Sequence, residues 1–290
     1  MSDLRRAISR ARARIAALTV MMIAWSMSFD DAHASAPRLP PRERADALAP
    51  GQWQVGLTSP TRIGLGGQRE LTSFAAGWLV LVPNVALRQS LRSPQHIWQT
   101  RGEFGLSFPG YGYRLSQGYL LPAQERSGGH PGHFLVPRFG WAVSYGYRNI
   151  VATKVELAYG IGLDTRRRPP SLDTYAPIEL LYAPVVDIFR AQLALSGDFA
   201  LHERARVRPS VRLWFIGPLP ADRSPVILDT RLALDYALSH RVFLSVGGAW
   251  YNSDQHRQRL IKKSDGSSER QRIRSNDFFP SIDLVVRSKR

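Results

Sequence analysis

The sequence predicts an all-β protein: a transmembrane antiparallel up-and-down β-barrel of about 12 strands, within a range of roughly 10–14. Three observations carry this. First, "TKVELAYGIGLD" (153–164) puts Thr153, Val155, Leu157, Tyr159, Ile161 and Leu163 on one parity and Lys154, Glu156, Ala158, Gly160, Gly162 and Asp164 on the other. A period of two marks a strand. The same alternation runs through "WQTRGEFGLSF" (98–108), "FGWAVSYGY" (139–147), "FRAQLALSGDFAL" (189–201) and "VILDTRLALDYAL" (226–238). Second, runs of this length suit the roughly 9–11 residues of a tilted membrane strand better than the roughly 5–6 of an ordinary one. Third, the less apolar parity is Gly, Ala and Ser with isolated charges of both signs, a composition that fits a narrow polar lumen.

The elements follow in order. Residues 1–34 read as a secretory signal peptide: Arg5, Arg6, Arg10, Arg12 and Arg14 precede the apolar run "IAALTVMMIAW" (15–25), and "AHA" (32–34) supplies a small-residue cleavage site. Residues 35–50 hold four Pro and read as a periplasmic lead-in. Residues 51–290 form the expected barrel. Strands are expected near 52–65, 69–79, 81–92, 96–108, 134–147, 150–163, 176–187, 188–200, 204–216, 226–238, 240–252 and 276–287. No helical periodicity of useful length is evident between them. From residue 134 onward, tight polar turns around Asn149, Glu203 and His240 alternate with long connections at about 165–175, 217–225 and 253–276, as in an outer-membrane meander. Trp98, Phe108, Phe139, Tyr147, Trp250, Tyr251, Phe278 and Phe279 crowd the strand ends, where barrels carry aromatic girdles.

"GQWQVGLTSPTRIGLGGQREL" (51–71), followed by "PNVALR" (83–88), resembles a family of uncharacterised Gram-negative, porin-like outer-membrane β-barrels. The family pattern is Gly-x-Trp-x-Val/Ile-Gly-Leu, Pro-x-Arg-x-Gly-Leu, an acidic-Leu pair and Pro-Asn-Leu/Val. The resemblance implies the barrel and the outer membrane, and identifies no activity.

The formal charge is +16, and removing the signal's five Arg and three Asp leaves +14. Of 39 basic residues, four are Lys and the rest Arg, whose planar fork suits phosphate and carboxylate. Expected partners of such an exported chain are outer-membrane lipid, lipopolysaccharide and small anionic solutes, not nucleic acid. The pattern says nothing of oligomeric state. The chain has no Cys, which excludes disulfides, thiolate metal sites and Cys nucleophiles. "HPGH" (130–133) pairs two His across a Pro-Gly turn with no carboxylate near, and reads as an ordinary loop rather than a metal clip. Ser239 and His240 are adjacent, so their side chains point apart and form no nucleophile–base pair. No catalytic residue, metal or cofactor is expected.

Two sets of side chains are singled out. Arg101, Glu103, Lys154, Glu156, Arg190, Asp198, Arg212, Asp229, Arg231 and Asp235 are expected to face the lumen. Arg166, Arg167 and Arg168, with Arg257, Arg259, Lys262, Lys263, Arg270 and Arg272, are expected in basic external loops that meet lipopolysaccharide phosphates or draw anions to a pore mouth. Three readings of function stay open: a passive porin-like channel for small, including anionic, solutes; a closed structural or surface-interaction barrel; and a soluble periplasmic β protein that binds anionic lipid.

Overall fold

A computed structural model of the chain describes residues 39, 42, 44–116, 132–163, 176–217, 226–262 and 268–288; within 254–262 and 268–275 it describes the backbone. The strands are β1 (Trp53–Gly56), β2 (Thr61–Gly66), β3 (Arg69–Ser73), β4 (Asn84–Ser90), β5 (Trp98–Ser107), β6 (Phe134–Tyr145), β7 (Ile150–Tyr159), β8 (Ile161–Gly162), β9 (Phe189–His202), β10 (Ala205–Gly217), β11 (Val226–Ala237), β12 (Val242–Lys262) and β13 (Ser268–Arg287). Among the described residues three helices accompany them: α1 (Ala75–Leu79), α2 (Gly110–Ser116) and α3 (Ala176–Val186).

Twelve of these strands pair in sequence order, all antiparallel, and β1 meets β13 to close the ring. The two-residue β8 continues β7 beyond Gly160 and pairs with the start of β6. Exposure decides which face looks outward. On β7, Val155 is 53% exposed and Leu157 47%, whereas Glu156 is 5% and Ala158 1%. The apolar parity therefore faces out, and the small and charged parity faces the lumen, as in a membrane barrel and opposite to a soluble sandwich.

Several expected strands take a different form. The run 52–65 is two strands, because the chain turns over at 57–60 around Pro60. The run 69–79 leaves the sheet after Ser73 and finishes as α1; the run 81–92 enters it only at Asn84, after Pro83. Residues 176–187 are not a strand but α3. The split adds one strand and the helix removes one, so the expected number returns by compensation. The long connection expected at 253–276 is instead the upper part of a hairpin, with β12 and β13 paired up to Lys262↔Ser268.

α3 lies inside the ring. Ala176, Leu180 and Ala183, spaced i, i+4, i+7, pack on the inward side chains Trp214, Ile216, Ile227, Ala249 and Tyr251. Tyr182, Val185 and Val186 pack on Phe134, Val136 and Ala158 from the other side, together with Tyr113 of α2. Apart from Glu179 the helix is apolar all round, as a buried helix is. Pro177 is tolerated in its first turn, where the missing N–H would have no intrahelical partner.

Candidate functional site

The inner wall carries a continuous run of charge. Because side chains alternate, each strand offers every second residue to the lumen, and the register places these beside one another. Arg62 on β2 binds Glu70 on β3 at 2.6 Å, and Glu70 is 3.4 Å from Arg88 on β4. Arg88 reaches Glu103 on β5 at 2.9 Å, its direct cross-strand partner. Glu103 also meets Arg138 of β6 at 3.1 Å and Lys154 of β7 at 3.5 Å. Lys154 binds Glu156 at 2.7 Å, and Arg190 of β9 closes this arc on Glu156 at 3.3 Å. The opposite arc holds further ion pairs. Arg206 and Asp198 are both fully buried and 2.5 Å apart. Arg208 binds Asp235 at 2.8 Å, and Asp229 lies between Arg231 at 2.8 Å and Arg212 at 4.0 Å. Arg231 also donates to the Tyr251 hydroxyl at 2.6 Å. Alternating sign is what lets so many charges share one wall, since an unpaired buried charge costs several kcal/mol.

Two segments of the chain enter this lumen from its two ends. At the end with the tight turns, Leu39 packs on Ala237, Phe243 and Val285. Arg42 is the principal anchor: its N–H donates to Asp198 at 2.6 Å, and its guanidinium lies 3.3 Å from Asp235 and 3.7 Å from Asp283 and donates to Ser59. The Ala45 N–H donates to Ser144 Oγ at 2.9 Å, and the Ala45 carbonyl accepts from Ser90 Oγ at 2.7 Å. The Leu48 N–H donates to Glu70 at 3.2 Å. Gly64 is the seat of this segment: a Cβ there would stand 2.0 Å from the Ala49 carbonyl oxygen. At the end with the long connections the occupant is α3. Its seat is Gly160, where a Cβ would stand 1.8 Å from the Pro184 carbonyl oxygen. Tyr113 and Tyr182 meet edge to face at 5.3 Å, and the Tyr182 hydroxyl shares a hydrogen bond with Ser116. Burial pushes both tyrosine hydroxyls above their ordinary range, so they stay protonated at neutral pH.

All ten side chains expected to face the lumen belong to the inward parity, and nine are in the ion pairs above; Arg101 is the exception. Sequence reading missed Arg62, Glu70, Arg88, Arg138, Arg206 and Arg208. Parity was available for Arg206 and Arg208, which share it with Arg212; the short arc at β2–β4 offered too few alternations. Arg42 had no periodic signal at all. The basic-loop expectation needs correction. Arg257, Arg259, Lys262, Arg270 and Arg272 lie within β12 and β13, not in a loop, because the hairpin goes on pairing above residue 253. Lys263 and Arg166, Arg167 and Arg168 lie outside the described residues. So does His130; His133 packs on Tyr111 at 5.6 Å between ring centroids. Ser239 Oγ accepts from the Arg241 and Val242 N–H groups and so caps the β11–β12 turn.

No protein-family model matches the chain, and no curated protein matches it. Among solved structures it is similar to the NanC porin, at 9% identity over 81% of this chain and 97% of that one, with a TM-score of 0.44. It is also similar to the outer-membrane expressed OmpT of Vibrio cholerae, at 8% identity over 81% of this chain, with a TM-score of 0.42; the match spans 64% of that protein's length.

Proposed function

We propose that this protein is an outer-membrane β-barrel held shut at rest by its own chain. The observation that carries the reading is the double occupancy of the lumen, by Leu39, Arg42 and residues 44–50 at one end and by α3 at the other. The outward apolar belt, from Trp53 and Val55 round to Ile282 and Leu284, supports membrane insertion. In this reading residues 1–34 are removed on export, Leu39, Arg42 and residues 44–50 form the plug, and the tight-turn end faces the periplasm. Arg42 reaches acids on three strands, so the plug is held by charge-assisted bonds rather than by apolar packing alone.

A channel for small anions remains the second reading. The arc from Arg62 to Arg190 favours it: among the described wall residues there, cations outnumber carboxylates, which attracts anions whenever the plug is displaced. The two readings separate in planar bilayers. The folded mature protein should show no steady conductance, while Arg42→Glu, which sets a carboxylate against Asp235 and Asp283, should show stepwise openings. Heat-sensitive gel mobility checks that each variant is folded. A steady open pore in the unaltered protein would overturn the closed-barrel reading. Recovery from cells in detergent-free buffer would overturn the membrane reading.

A further inference from the structure

We infer that the inner wall carries a binding site for a small oxyanion, a phosphate or a carboxylate, organised on Arg101. The register gives this residue no counter-ion. Across β4 it faces Ser90, and across β6 it faces Ala142. It makes no hydrogen bond or ion pair with a described residue, although Arg62, Arg88, Glu70 and Glu103 surround it. Those carboxylates are already engaged: Glu70 by Arg62 and Arg88, and Glu103 by Arg88, Arg138 and Lys154. The Ser90 hydroxyl is engaged too, as donor to the Ala45 carbonyl.

Among the described residues, the wall of this arc therefore holds six cations, Arg62, Arg88, Arg101, Arg138, Lys154 and Arg190, against three carboxylates, Glu70, Glu103 and Glu156. An excess of three positive charges on a narrow wall raises the energy of the empty site, and a bound anion relieves it. Arg101 brings five N–H donors in a planar fork, the geometry that takes two oxygens of one phosphate or carboxylate at once. The ligand is small, because Ala45 of the plug, tied to Ser90 and Ser144, lies beside the same stretch of β5. The site belongs to the inner wall and stands whether or not the barrel conducts.

The test is calorimetric titration of the folded mature protein in non-ionic detergent with inorganic phosphate, with acetate, and with a short-chain phosphatidic acid, each at fixed ionic strength in chloride. Saturable binding is expected for at least one of these probes. Arg101→Gln should weaken it at least ten-fold, and Arg101→Lys, which keeps the charge and loses the fork, should weaken it less. Arg241→Gln, an exposed turn residue, should leave it unchanged. Binding of phosphate or acetate identifies a free solute, and binding of the phosphatidic acid alone identifies a lipid headgroup. Gel mobility verifies folding, and Arg101→Lys serves if Arg101→Gln does not fold. No saturable binding by any probe, or equal binding by Arg101→Gln, would overturn the site. Conductance is not read, so failure of the closed-barrel reading is seen separately.

Discussion

The ring has a low arc and a tall arc. β1 to β4 have 4, 6, 5 and 7 residues, whereas β9 to β13 have 14, 13, 12, 21 and 20. A tilted membrane strand needs about 9–11, so the tall arc spans unaided and the low arc does not. The low arc is supplemented by α1, which has no buried residue and presents exposed Trp78 and Leu79, followed by exposed Val80 and Leu81. Where the arcs meet, β1 pairs with β13 from Gln54↔Arg287 to Gly56↔Val285. There the chain turns away, and Asp283 holds the turn by accepting from the Thr58 N–H at 2.9 Å and from Ser59 Oγ. Above this point β12 is the only partner of β13 among the described residues.

Backbone direction explains how that edge is tolerated. The Ser288 N–H donates toward Trp53, and the Arg287 N–H toward Arg241. Even-numbered residues of β13 therefore turn their backbone groups toward the β1 side. Pro280 is one of them, and it has no N–H to leave unmet on that side. The comparison teaches that wall height in this barrel is set by where the chain leaves the sheet, not by how apolar the segment is.

The largest effect should separate the arcs by pairing. Arg206→Ala takes a fully buried guanidinium from the fully buried Asp198, which keeps the Arg42 N–H, and should cost about 3–5 kcal/mol in denaturant unfolding. Arg62→Ala on the low arc should cost less, because Glu70 retains Arg88. Equal losses would mean that pair multiplicity does not distinguish the two sides. Next come charges placed on the outer face. Leu232→Arg, in the middle of β11, should cost about 2–4 kcal/mol, and Leu65→Arg, beside the β2–β3 turn, about 0–1. The reverse order would move the hydrocarbon layer relative to the wall. Gly64→Ala and Gly160→Ala each force a plug from its seat, at about 1–3 kcal/mol. Limited proteolysis should show faster cleavage at 39–50 in the first variant and around α3 in the second, with no crossover between them. The smallest effect belongs to Lys154→Gln, under about 1 kcal/mol, since Arg138 and Arg190 still serve Glu103 and Glu156.

Alternation alone was enough to place the barrel, its lumen parity and its tight turns, because side-chain direction along a strand is a local property with a period of two. Tyr159 facing out and Glu156 facing in needed no partner to be known. Three things were settled only by the folded ring. α3 is helical because walls on both sides offer it apolar surface; a short apolar run carries no local mark that separates strand from buried helix, although the spacing of Ala176, Leu180 and Ala183 was there to be read. The hairpin above residue 253 is strand because β12 and β13 pair with each other, which a charged sequence does not announce. The plug is held because Arg42 meets Asp198 and Asp235, residues 156 and 193 positions away. Such contacts depend on register and ring closure, and neither has a signature within the reach of a local pattern.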